Sequence, residues 1–126
     1  MRSLFLRSLT LVILSTFYSC QEEITTDNLV GHWKAISFEE KGTIQDLTQK
    51  EVFFKFHENG IYEYNSNNSY AEAGPYYVKG KLLYTTDTLS EERLEKSVKL
   101  GLVEADSMHF DMNVGGVSQV FKLERQ

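Results

Sequence analysis

Three histidines, one cysteine and several acidic pairs are the residues of this 126-residue chain best suited to acid–base, metal or covalent chemistry. His32, His57 and His109 lie far apart and lack the His-x-x-x-His type of spacing that brings two imidazoles to one metal. His32 and His109 fall out of phase with the apolar residues around them, which places them on the outside of their strands. Glu39-Glu40 and Glu91-Glu92 are sequence neighbours in loops or at strand ends, whereas acid–base work needs carboxylates that face one another across a cleft. Gly-x-Ser-x-Gly, a P-loop, Cys-x-x-Cys and a dinucleotide fingerprint are all absent from the sequence. The expectation is a protein that is not an enzyme, with no catalytic residue, no metal and no cofactor.

Aromatic side chains offer a different chemistry, that of non-covalent binding. There are 7 Tyr and 8 Phe, and many recur at every second position. Phe54, Phe56, Tyr62, Tyr64, Tyr76, Val78, Met108, Phe110, Met112 and Phe121 keep a parity that lets them face one interior. Such a lining suits a pocket for a small apolar ligand, with Tyr hydroxyls as polar handles. The same residues would equally serve to fill a core, and both readings stand at this level.

The elements that position this set are short strands and turns. A first strand covers residues 30–39, and a polar connection with one helical turn near 45–49 follows it. Residues 51–57 form a second strand. Asn59-Gly60, the strongest short hairpin signal, predicts a type I′ turn into a third strand at 61–65. Residues 65–69 form a polar loop longer than a tight turn needs, a candidate functional rim. Strands at 76–79 and 81–86 flank Gly80, and residues 87–92 make a second rim loop. Residues 93–104 read as a sixth strand, because Val98, Leu100 and Leu102 alternate and Gly101 is poor inside a helix. The seventh and eighth strands carry Met108, Phe110 and Met112, then Phe121 and Leu123. An antiparallel meander of eight strands hides its edges by closing. The predicted fold is all-β, a small eight-stranded antiparallel up-and-down barrel, with a two-sheet β-sandwich as the alternative.

Composition bounds the partners. A formal charge of −5 argues against nucleic acid, and a single Cys excludes a disulfide scaffold. Residues 1–19 combine a basic start at Arg2 and Arg7 with a short apolar run, the pattern of an exported signal peptide. Ser19-Cys20 closing that run resembles a bacterial lipobox, although Phe17 and Tyr18 depart from its usual residues. The resemblance implies acylation of Cys20, with residues 20–28 as a tether and 29–126 as the folded domain. Two or more acyl chains suffice for a firm anchor. Removing residues 1–19 leaves 11 basic against 18 acidic residues, so lipid rather than charge must hold the domain to a bilayer.

A family resemblance emerges at the first strand. Gly31-x-Trp33 opening a small β chain resembles the lipocalin signature. Phe54-x-Phe56, Asn59-Gly60 and Tyr62, then Gly74-x-Tyr76-x-Val78-x-Gly80, then Phe121-x-Leu123-x-Arg125 extend the likeness to the small lipocalin-like lipoproteins of the Bacteroidetes. The resemblance implies structural roles for Gly31, Trp33 and Arg125, with the arginine stacked over the indole. It implies a membrane-anchored lipoprotein of the outer membrane, periplasmic or surface-exposed, that holds a small hydrophobic ligand. The alternative is a cavity-free accessory protein that contacts another envelope protein.

Overall fold

A computed structural model describes residues 24–126. The signal peptide expected at 1–19 and the lipidation expected at Cys20 lie outside the described residues.

Alternating apolar and polar side chains turn the chain into nine antiparallel strands. They are β1 (Gly31–Glu40), β2 (Thr43–Asp46), β3 (Val52–Phe56), β4 (Ile61–Ser66), β5 (Tyr70–Lys79), β6 (Leu82–Thr86), β7 (Glu95–Val103), β8 (Ser107–Val114) and β9 (Val117–Arg125). Strands β3 to β9 pair in sequence order, and β9 returns to pair with β1. With β1 also paired to β3, eight strands close a ring, and no sheet edge is left along it. The sandwich alternative is thereby excluded.

The ninth strand is a correction to the expected helical turn near residues 45–49. Thr43–Asp46 folds back as β2 on the upper half of β1, the part above the β3 pairing. Strand β1 is therefore long enough to carry two neighbours on one side. All four residues of β2 are exposed, so no apolar face existed to announce it.

Two bulges keep the interior apolar. In β1 the register shifts between Ala35 and Ser37. Strict alternation would turn Ser37 inward. The extra residue instead brings Phe38 opposite Phe121, with ring centroids 4.8 Å apart. A second shift lies between Leu100 and Val103, so that Val103 faces Met108.

Turn chemistry also differs from expectation. At Asn59-Gly60 only Gly60 has positive φ, and Asn59 Oδ1 instead accepts the Ile61 N–H at 3.1 Å. The loop is one residue longer than a type I′ turn, the pattern of a hairpin that ends in a glycine bulge. The expected rim loop at 65–69 is shorter than predicted. Asn65 and Ser66 belong to β4, and Tyr70 already opens β5, leaving a three-residue turn with Asn67 and Asn68 at positive φ. Strand β5 thus starts six residues before the expected Tyr76.

The expected tether yields to structure at Ile24. Thr26–Leu29 forms a helical turn, α1, in which Asn28 Oδ1 accepts hydrogen bonds from the Thr25 N–H and hydroxyl. Leu29 is wholly buried, and Ile24 packs against the core. α1 caps one end of the barrel, the end that also holds the start of β1 and the turns at 57–60, 80–81 and 104–106. The largest fully buried side chains, among them Trp33, Phe56, Leu83, Leu100, Met108 and Leu123, make that end solid.

Candidate functional site: an aromatic cup in the open half of the barrel

The closed end is fixed by Trp33. Its indole N–H donates to Leu29 O at 2.8 Å, which joins the barrel floor to α1. The Arg125 guanidinium stacks on the indole ring and donates three hydrogen bonds, to Ala105 O at 2.7 Å, Val30 O at 2.7 Å and Asn28 O at 3.1 Å. Gly31 has φ +141°, and a Cβ there would overlap Arg125 Nη1. Gly31, Trp33 and Arg125 thus meet at the barrel floor.

Above this floor the barrel is not filled. A cavity of about 150 Å³ lies among Phe54, Phe56, Tyr62, Tyr64, Phe110, Met112 and Phe121. Seven of the ten residues proposed for the interior thus line one cup. Tyr76 and Met108 are buried in the packed floor, and Val78 rests against it. Tyr76 Oη donates to His57 O at 2.8 Å, so that hydroxyl is not a handle for a ligand. The ring is wide enough at its upper half that the side chains present leave space.

Aromatic rings meet edge to face around the cup. Phe54 contacts Phe110 at 5.1 Å between centroids and 87° between planes, and it stacks on Tyr64 at 4.5 Å. Tyr64 and Phe121 separate the cup from a more open recess of about 290 Å³ whose rim includes Phe38, Gln45, Lys50 and Asn67. Because a meander alternates ends, the turns at 41–42, 67–69, 87–94 and 115–116 all surround this mouth. Both loops expected at the rim are there.

The remaining lining residues escaped the sequence reading. Glu72, Leu83, Thr85, Lys96 and Val98 complete the wall. Lys96 Nζ donates to Glu72 Oε1 at 2.6 Å, and the Tyr70 hydroxyl donates to the same oxygen at 3.1 Å. The Glu72 hydrogen bond raises the Lys96 pKa. Parity was the available signal: Glu72 is in phase with Tyr76 and Val78, and Lys96 with Val98 and Leu100. Their charge argued for the outside. Tyr62 is 2% exposed, and its hydroxyl has no hydrogen-bond partner among the described residues. Thr85 is its polar neighbour, and that side chain acts to lower the Tyr62 pKa. Burial first, and then the Glu72 charge, push the Tyr62 pKa up to about 12.

The titratable residues considered first lie elsewhere. His57 Nε2 sits 2.6 Å from Glu63 Oε2 on the exposed surface. His32 faces outward as expected but is covered by Phe53, with ring centroids 4.9 Å apart. Burial, followed by the charge of Lys55, lowers its pKa. Among the described residues no group of three His, Cys, Asp or Glu side chains is placed to hold a metal ion.

The fold is similar to that of two solved structures. One is an uncharacterized protein from Bacteroides eggerthii, 17% identical, with TM-score 0.55, covering 75% of this chain and 98% of that one. The other is a lipocalin-like protein from Bacteroides uniformis, 16% identical, with TM-score 0.56, covering 75% and 97%. The chain has a lipocalin-like fold. No protein-family model and no curated protein matches the sequence. At such low identity the lipocalin-like likeness is one of backbone architecture.

Proposed function

We propose that this protein is a membrane-anchored binding module that holds a small, largely apolar ligand in the upper half of its lipocalin-like barrel. The observation that carries the reading is the aromatic cavity of about 150 Å³. An apolar cavity of that size accepts a molecule such as benzene, and it lies below the ~300–1,000 Å³ of pockets for drug-sized ligands. Size therefore favours a single ring or a short chain over a whole lipid. Support for the anchor is the apolar run closed by Ser19-Cys20. Ile24, four residues after Cys20, packs beside the capped floor. An acyl anchor at Cys20 would hold that floor near the bilayer and turn the mouth away from it.

Native mass spectrometry of protein prepared without detergent tests the binding reading. The expected result is a retained small molecule, or uptake of an added one-ring aromatic, that is lost when Met112→Trp fills the cup. A barrel that retains nothing and takes up no such probe overturns it.

A further inference from the structure

One corner of the capped end departs from the charge of the rest. Lys79 and Lys81 flank Gly80 at the β5–β6 turn, and Lys99 lies beside them on β7. Lys79, Leu82 and Lys99 are direct register partners, so they form one outward-facing row. Their chain neighbours Val78, Leu83 and Leu100 take the inward parity. The Leu100 N–H donates to Lys81 O at 2.8 Å, which fixes the turn against β7. All three lysines are exposed, and none forms a salt bridge among the described residues. In a chain of net charge −5 they are a local basic surplus. Acidic groups border the corner: Asp111 opposite Lys99, Glu95 at the Tyr77 hydroxyl, and Glu58, Glu104 and Asp106 in the other turns of that end. The basic surface is therefore a corner and not the whole floor.

Apolar side chains lie between these charges. Leu82 is 37% exposed and Tyr77 is 48% exposed. Tyr77 occupies the next outward row, stacked on Tyr84 with ring centroids 4.8 Å apart, and Ile61 lies diagonal to it on β4. Lysine stems lie along apolar surface while their ammonium groups reach outward, the mixture that suits a lipid–water interface. The chain also enters the barrel at this end. Ile24, four residues after Cys20, packs against the core, and α1 lies near β5. Burial first, and then the charge of Asp27 in α1, raise the pKa of Tyr76 on β5.

We propose that the corner formed by Lys79, Lys81, Leu82 and Lys99 is the face on which the anchored protein rests on a bilayer containing anionic lipid, with the lysines at headgroup phosphates and Leu82 and Tyr77 at the interface. This rests on the acyl anchor proposed above and adds the surface that sets the orientation. The domain as a whole remains acidic, so these lysines orient an anchored molecule and do not by themselves hold it to a membrane.

Footprinting of lysines with an amine-acetylating reagent, read by mass spectrometry, tests the proposal. Two preparations are compared on vesicles of phosphatidylcholine with or without phosphatidylglycerol: the protein reconstituted from membranes, and the full chain coupled to a maleimide lipid through Cys20, its one cysteine. With phosphatidylglycerol present, labelling of Lys79, Lys81 and Lys99 is expected to slow by up to about fivefold each, the factor equivalent to ~1 kcal/mol per lysine at an anionic surface. Lys41 and Lys50, at the mouth, keep their rates in solution. In the double variant Lys79→Glu, Lys99→Glu the protection of Lys81 is lost while the coupled protein stays on the vesicles. Equal protection of mouth and corner, protection that is the same without phosphatidylglycerol, or an unchanged Lys81 in the double variant overturns the proposal. A natural protein without an acyl chain overturns the anchor, and the coupled chain then decides the orientation alone.

Discussion

The Arg125 guanidinium carbon lies 4.3 Å from the centroid of the Trp33 ring, at the register position directly opposite it. One side chain of the last strand thus clamps the first strand, the helical turn and the turn at 104–106. Closure of the ring and capping of its floor are the same interaction.

Arg125→Ala is expected to destabilise the barrel by about 2–3 kcal/mol. A cation–π contact contributes ~0.5–2 kcal/mol and each charged hydrogen bond ~1.5–3 kcal/mol, with strong non-additivity. Arg125→Lys should recover less than half of the loss, because an ammonium cannot reach three carbonyls while stacked on an indole. Urea unfolding midpoints check both. A Lys variant as stable as wild type would show that charge alone suffices.

Gly74 faces into the barrel wall where β5 meets β6, and a Cβ there would overlap the Thr86 carbonyl oxygen. The neighbouring Asp87 is buried and its Oδ1 accepts from the Ala73 and Leu89 N–H groups, which holds the strand end in place. Backbone cannot yield as a flexible side chain does. Gly74→Ala is expected to cost ~1–3 kcal/mol by thermal or urea unfolding, the usual range for overpacking.

Tyr62 ties stability to alkaline pH. Its folded pKa of about 12 lies above the ordinary tyrosine value of 10.0. As pH rises past about 10, the unfolded chain releases this proton before the folded one does. Stability is therefore expected to fall between pH 10 and about 12. Tyr62→Phe should flatten that fall, and at neutral pH it should be neutral or stabilising, since it removes an unpartnered buried hydroxyl. Unfolding free energies measured from pH 8 to 12 decide this. An equally steep decline in the variant would assign the effect to other groups, such as Tyr76, whose pKa burial also raises.

Cys20→Ala is expected to release the mature protein from the membrane to a soluble fraction. The acidic domain has no electrostatic attraction to anionic lipid to replace the acyl chains. Fractionation of cells expressing the variant provides the check, and continued membrane association would count against lipidation.

Period-2 alternation was enough to determine the all-β class, the meander order and the clustering of Phe54, Phe110 and Phe121, because side chains of one parity share a face whatever their neighbours are. Gly31-x-Trp33 and Arg125 were legible too, through the resemblance. The tertiary structure alone decided the rest. The bulge at Ala35–Ser37 puts Phe38 inside, and no local pattern marks it, since its benefit is a contact with Phe121 on a strand some eighty residues away. Strand β2 is held by backbone pairing to β1 and carries no apolar face. Glu72 and Lys96 carry charges that favour the surface, yet they stand in the cup by their parity, where each supplies the other's counter-ion. Whether the interior was full or open depended on ring width set against side-chain volume, a property of the closed barrel as a whole and of no single segment.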